Sequence, residues 1–233
     1  PKKDKLWLVL LFINHFAIFL SAMTSHTNSN TTSKIPPKLV LGSTSPFRKA
    51  LLEKLNLPFE TDKPQVDESP LPSESANELV ERLAIEKAKA VASKWSNALV
   101  IGSDQVALFD GAILGKPHTH DKAIAQLSAF SGNKVTFLTG LAVINSETGE
   151  TLSLVEPFEV YFKTLSLEEI DAYLKAEQPY NCAGSFKSEA LGICLFEKLI
   201  GDDPNSLIGL PLIRLVALLK EHGFSVLAHQ TTV

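Results

Sequence analysis

The sequence predicts an α/β domain, and three observations carry that prediction. From Lys38 onward, short apolar runs bounded by Gly, Pro and Ser alternate with segments whose apolar residues recur at helical spacing. Ser45, Ser75 and Ser166 each stand where a helix N-cap belongs, followed by Pro46 at the first helical position or by Glu78 and Glu169 three residues on. The chain has 233 residues, 45% hydrophobic and 21% charged, enough for one domain or two small lobes around a sizeable core.

Taken in order, Lys38-Leu39-Val40-Leu41-Gly42 reads as the first strand. Ser43-Thr44-Ser45-Pro46 then opens a helix with Phe47, Leu51 and Leu55 as its apolar stripe. Pro58 to Pro72 reads as irregular chain. A helix follows from Ser75 to about Lys94, with Leu79, Leu83, Ala84, Ala88 and Val91 facing the core. Ala98-Leu99-Val100-Ile101-Gly102 reads as a buried strand that ends at Ser103-Asp104-Gln105, and Val106 to Leu114 as a hairpin turning at Asp110-Gly111. Gly115-Lys116-Pro117 leads to a helix over Asp121 to Phe130. Two long strands over 133–145 and 151–164 precede a helix from Ser166 to about Glu177, which Pro179 stops. A loop from Asn181 to Glu189 leads to a strand over Ile193 to Ile200. Gly201 to Pro204 turns the chain, and Gly209-Leu210-Pro211 opens a last helix closed by Gly223.

The net charge of −4 argues against a broad nucleic-acid surface but allows a local basic pocket. Cys182 and Cys194 lack metal-site spacing and read as reduced thiols, Cys194 in a buried strand. His118 and His120 lack a nearby third ligand and read as part of a polar loop. Residues 1–34 differ in character: Lys2, Lys3 and Lys5 precede an apolar run from Leu6 to Leu20, a signal-like form too short for a membrane span. Met23 is the only methionine and opens a polar tail that leads into the first strand. The expectation is a native start at Met23, with residues 1–34 a non-family extension and 35–233 the functional domain. Intact mass of the mature protein tests it.

Four polar segments punctuated by Gly or Pro sit next to strand ends or helix starts, where α/β folds build sites. They are Ser43 to Lys49, Asp67-Glu68, Ser103-Asp104-Gln105 and Gly115-Lys116. The first brings free N–H groups, hydroxyls and two cations to a helix N-terminus, which suits either capping or an anion such as phosphate. Asp104, read at a strand's carboxyl end, is a turn cap or a catalytic and metal-binding group. Arg48, Lys49 and Lys116 are surface cations or phosphate ligands, and Lys87 and Lys89 have the exposed face of their helix as default. Glu68 and Asp104 together could hold Mg²⁺ beside phosphate oxygens. The residues alone therefore suggest phosphoryl chemistry without choosing a substrate, and both the P-loop and the dinucleotide glycine fingerprint are absent.

Leu41-Gly42-Ser43-Thr44-Ser45-Pro46-Phe47-Arg48, Val66-Asp67-Glu68, Glu86-Lys87-Ala88, Gly102-Ser103-Asp104-Gln105, Gly115-Lys116-Pro117 and Gly209-Leu210-Pro211-Leu212 occur in an order that closely resembles the Maf family of nucleoside triphosphate pyrophosphatases. The resemblance spans about residues 37–225. Phe47, Gln105 and the segment Cys182 to Glu189 make the chain most similar to the branch that acts on 7-methyl-GTP. The resemblance implies an elongated, bent mixed sheet flanked by helices, with two lobes around a central cleft, and a cytoplasmic protein that could form a homodimer. It implies hydrolysis to the monophosphate and pyrophosphate with a divalent cation, Mg²⁺ or Mn²⁺. Asp104 would accept the proton of water; Phe47, Gln105 and Glu189 would set base specificity; Ser43, Arg48, Glu68, Lys87 and Lys116 would line the phosphate and metal site, with Glu68 and Asp104 as metal ligands. The partner is a small nucleotide, with no nucleic-acid polymer and no membrane unless the N-terminal segment is a real signal. Phe47 replaces the tryptophan common in this branch, and Lys49 a second arginine. Activity on dTTP and UTP, or a nucleotide-binding role in regulating cell division, are the alternatives.

Overall fold

The fold is built from strands β1 (Lys38–Gly42), β2 (Phe59–Asp62), β3 (Ala98–Phe109), β4 (Ala112–Leu114), β5 (Lys134–Asn145), β6 (Thr151–Phe162) and β7 (Phe196–Ile200). The helices are α1 (Pro46–Glu53), α2 (Ala76–Ala92), α3 (His120–Phe130), α4 (Leu167–Glu177), α5 (Pro204–Ile208) and α6 (Leu212–Glu221). The computed structural model describes residues 35–230, and the readings made for the N-terminal extension fall outside them. The strands form one mixed sheet in the order β2-β1-β3-β5-β6-β7, with β4 paired to β3. The β1 pairings with β2 and β3 are parallel, and those of β3 with β5, β5 with β6 and β6 with β7 antiparallel. This is the mixed sheet flanked by helices that the resemblance implies. No helix among the described residues is long and apolar enough to cross a membrane.

Side-chain alternation along β3 and β5 divides the core between two faces. Val100, Ala142 and Ile144 pack with Ala84, Ala88 and Val91 of α2. Leu99, Ile101, Leu141 and Val143 pack instead with Leu51 and Leu52 of α1 and Leu215 and Leu219 of α6. Farther along the same strands, Ala107, Val135 and Phe137 join Leu127 and Phe130 of α3 and Ile170 and Leu174 of α4. The α2 stripe is the one read from the sequence, with all five residues buried.

Two glycines decide how close α2 lies. A Cβ at Gly102 would stand 2.1 Å from the Ala84 carbonyl oxygen, and one at Gly140 would stand 2.0 Å from that of Val80. Only hydrogen fits at either place, so the helix backbone rests directly on the sheet.

Several expectations need correction. β3 does not end at Gly102: its ladder with β5 runs unbroken from Leu99↔Asn145 to Leu108↔Thr136, so Asp104 lies mid-strand. The polar triplet survives inside the sheet because each of its side chains finds a partner, as described below. The hairpin does turn at Asp110 and Gly111, both at positive φ (49° and 76°). Phe59–Asp62, inside the segment read as irregular, is the edge strand β2, paired to β1. The buried residues of α1 are Leu51 and Leu52, while Phe47 is 38% exposed and Leu55 half-buried. β7 starts at Phe196, and Cys194 is an exposed thiol in a 3₁₀ turn over Leu191–Leu195. His120 begins α3 instead of lying in a loop. α5 was missed altogether, although Asp203 before Pro204 is a helix-start signal.

Candidate active site

Asp104 points toward α2, on the same face as Gly140, its direct partner across the ladder. The missing side chain at Gly140 lets α2 approach until Lys87 reaches the strand. Lys87 Nζ donates to Asp104 Oδ1 at 2.6 Å and forms an ion pair with Glu68 Oε1 at 2.9 Å. Lys87 is only 5% exposed, against the default of an outward-facing lysine, and Asp104 is 8% exposed. The Glu68 side chain, by contrast, is 61% exposed and reaches in from the β2–α2 connection. An ammonium enclosed this deeply requires a carboxylate partner, and it has two.

Arg48 completes the charge cluster from α1. Ser45 Oγ caps that helix by accepting from the Arg48 amide, and Arg48 Nε donates to the Gly209 carbonyl at 2.9 Å. Burial pulls the guanidinium pKa below its ordinary value, and the nearby charges of Asp104 and Glu68 oppose that pull. The group remains cationic in any case. Ser43 is buried at the end of β1, where its Oγ accepts from the Ser45 amide at 3.1 Å.

The opposite face of β3 carries a second polar layer. Ser103 Oγ donates to the same Gly209 carbonyl at 2.9 Å. Gln105 Nε2 donates to Thr139 Oγ1 at 3.0 Å and to the Ser206 carbonyl at 2.8 Å, and Thr139 Oγ1 in turn donates to Ser206 O at 2.9 Å. The donors of Gln105 are thus engaged within the protein. Its Oε1 makes no hydrogen bond to the described residues.

Glu189 is exposed in the loop after α4, with Ser188 Oγ donating to it at 3.4 Å. That loop is tied down by Lys187 Nζ on Glu177 Oε1 at 2.8 Å and by the Lys187 amide on the Tyr173 hydroxyl at 3.1 Å. Lys116 is exposed between β4 and α3, where its charge acts on Cys182. The structure therefore brings Arg48, Glu68, Lys87 and Asp104 together. No hydrogen bond or ion pair among the described residues joins Phe47, Lys116 or Glu189 to that cluster. A cavity of about 440 Å³, lined by Val66, Asp67, Leu71, Arg82, Glu86 and Lys89 among others, includes Asp67 of the candidate segments but none of Arg48, Glu68, Lys87 and Asp104.

Sequence reasoning named Ser103 within a candidate segment without a role, gave Gly209 no place in the site, and missed Thr139 altogether. Thr139-Gly140 in the middle of an otherwise apolar strand was the available signal. Among the described residues no group of three or more His, Cys, Asp or Glu side chains could hold a metal ion. Two carboxylates, Asp104 and Glu68, do share one locus, a donor set that suits a cation which keeps waters and phosphate oxygens as its other ligands.

The family model for Maf-like proteins matches residues 38–222, most of the chain and all of the elements that carry these groups. The protein belongs to the Maf family. Three similar proteins are each named 7-methyl-GTP pyrophosphatase. The Colwellia psychrerythraea protein is 66% identical over 193 residues, covering 83% of this chain and 96% of that protein. That of Pseudoalteromonas translucida is 61% identical with the same coverage. That of Nitrosococcus oceani is 56% identical over 198 residues, 85% of this chain and the whole of that protein. In this Maf protein the aligned span takes in both polar layers of β3.

Proposed function

We propose that this Maf protein hydrolyses 7-methyl-GTP to 7-methyl-GMP and diphosphate in the cytoplasm, where nucleoside triphosphates are made and used. The observation that carries the reading is the buried Lys87 shared by Asp104 and Glu68, with Arg48 beside them. Cations and carboxylates held at one point are what cleavage of a phosphate chain requires. The near-full-length likeness to three proteins named for 7-methyl-GTP supports the choice of base.

Lys87 engages Asp104 Oδ1 and leaves Oδ2 as the proton acceptor. Water adds to a phosphorus of the α–β bridge, its proton passes to Asp104, and the bridging P–O bond breaks to release diphosphate. Arg48, Lys87 and Lys116 answer the charge of the phosphate chain. Asp104 and Glu68 would hold a divalent cation, Mg²⁺ or Mn²⁺, which supplies further charge neutralisation when bound. Gln105 Oε1 and the Glu189 carboxylate are acceptors for the N–H edge of guanine, and Phe47 offers a face to a base made cationic by N7 methylation.

The test is diphosphate release with 7-methyl-GTP, GTP, dTTP and UTP in Mg²⁺ or Mn²⁺. Preference for 7-methyl-GTP is expected. Preference for dTTP or UTP would overturn the base assignment, and no turnover with any of them would overturn the reaction. Asp104→Asn is expected to bind nucleotide while its kcat falls at least ~100-fold, the scale of losing an acid–base group. A kcat near wild type would remove Asp104 from the chemistry.

A further inference from the structure

The Gly115–His118 segment, which carries Lys116, and the loop that leads to Glu189 are distant in sequence but fastened to each other through α3. Gln126 supplies the central tie. Its Nε2 donates to the Gly115 carbonyl at 2.9 Å, and its Oε1 accepts from Ser185 Oγ. A side chain that both donates to a carbonyl and accepts from a hydroxyl is needed there, and Gln provides both. Two further ties run parallel to it: the His118 amide donates to the Tyr180 carbonyl at 2.9 Å, and His120 Nδ1 lies 3.0 Å from the Tyr180 hydroxyl.

The loop side of the tie cannot yield easily. Ser185 is fully buried at φ 62°, and Gly184 before it is at φ 75°. Phe186 after it is clamped edge-on between Phe137 and Phe196. The three residues that follow end at Glu189. A shift of Ser185 therefore moves the base-facing acid, and a shift of Gly115 moves Lys116 at the phosphate end.

We propose that Gln126 is a positioning residue that fixes the spacing between Lys116 and the Glu189 loop and thereby sets nucleobase discrimination. The kinetic part of this rests on the function proposed above, whereas the coupling of the two segments does not.

Two measurements on the full-length protein test it. Hydrogen exchange without nucleotide compares wild type with Gln126→Leu, with Gln126→Glu, which keeps the acceptor for Ser185 but has no N–H for Gly115, and with Ser185→Ala. Amides of Gly115, Lys116 and His118 and of residues 183–189 are expected to lose protection together in Gln126→Leu, while in Gln126→Glu the loss is confined to Gly115, Lys116 and His118. Unchanged exchange in both segments overturns the coupling, whatever the substrate. In kinetics, Gln126→Leu is expected to raise KM for 7-methyl-GTP about tenfold, the scale of one lost hydrogen bond. Its kcat should stay within about twofold, and the kcat/KM ratio of 7-methyl-GTP to UTP, whose base lacks the guanine N–H edge that Glu189 accepts, should fall about tenfold. Gln126→Leu/Ser185→Ala should be no worse than Gln126→Leu alone. An equal loss on both nucleotides would make Gln126 merely structural and overturn its role in discrimination. If wild type prefers another pair of nucleotides, the function proposed above fails and the same ratio is read on that pair.

Discussion

Lys87 is the residue on which the stability of the buried charge cluster turns, and in the proposed reaction the chemistry as well. Its ammonium is nearly sealed from water and meets Asp104, whose carboxylate is almost as deeply placed. Removing one member of such a pair leaves the other buried and uncompensated, which typically costs about 3–5 kcal/mol. Lys87→Met is therefore expected to lower the urea midpoint by a corresponding amount. Lys87→Met/Asp104→Asn should recover most of the loss, because no bare charge remains. If the double variant is less stable than the single one, the pair is not the source of the penalty. Asp104 stood out in the sequence because a carboxylate directly after an apolar run is conspicuous. Lys87 did not, since a lysine on a helix is ordinarily solvated and its burial depends on an acid 17 residues away. Gln105 was legible as a residue but not in the direction of its amide, which is fixed by carbonyls of a helix that the sequence did not reveal.

At the level of elements, the contact of α2 with the sheet is a glycine seam. Gly140→Ala forces a methyl group against the Val80 backbone, where no side chain can rotate away. Overpacking of this kind costs about 1–3 kcal/mol, occasionally more. The expectation is a loss in that range by chemical denaturation, together with weaker turnover as Lys87 is pushed from Asp104. Gly115→Ala is the control. Its Cβ would meet nothing within 4 Å, so its stability should stay within about 0.5 kcal/mol of wild type. The helices with capping boxes, α2 and α4, were legible because their start signals are local. β2 and α5 were not: each is short, and each is held by partners remote in sequence, β2 by β1 and α5 by Gln105 and Thr139 of the sheet. The length of β3 was hidden for a related reason. Three consecutive polar residues look like a strand end until the groups that satisfy them are in view.

For the molecule as a whole, many carboxylates gain partners on folding, which fixes the sign of its response to acid. Glu74 is held at about 2 by its hydrogen bonds with Arg82. Asp62, Glu159, Asp171 and Glu177 also lie below their ordinary values, chiefly through hydrogen bonds to Trp95, Lys134, Lys175 and Lys187 respectively. A carboxyl with a depressed folded-state pKa adds stability that is complete above its unfolded value and is lost as pH falls through the folded one. The melting temperature should therefore fall steeply as pH drops below about 4.5, the ordinary glutamate value. Glu74→Gln should be less stable than wild type at pH 6, with the gap closing toward pH 2. A gap independent of pH would exclude the Arg82 pairing as its cause. The alternation of strands and helices was readable from their order and the mixed sheet was implied by the family resemblance, but its division into two polar layers was in neither, because that depends on which neighbour covers each face. The division also limits how this chain can change. Along β3, neighbouring residues 104 and 105 serve opposite sides, one under α2 and the other under α5. If the proposed roles hold, replacements on the α5 side retune which nucleotide is accepted while the hydrolytic apparatus stays intact. A one-residue insertion or deletion upstream in the strand would exchange the two sides at a stroke, so descendants of this sequence are free to vary there in spelling but not in length.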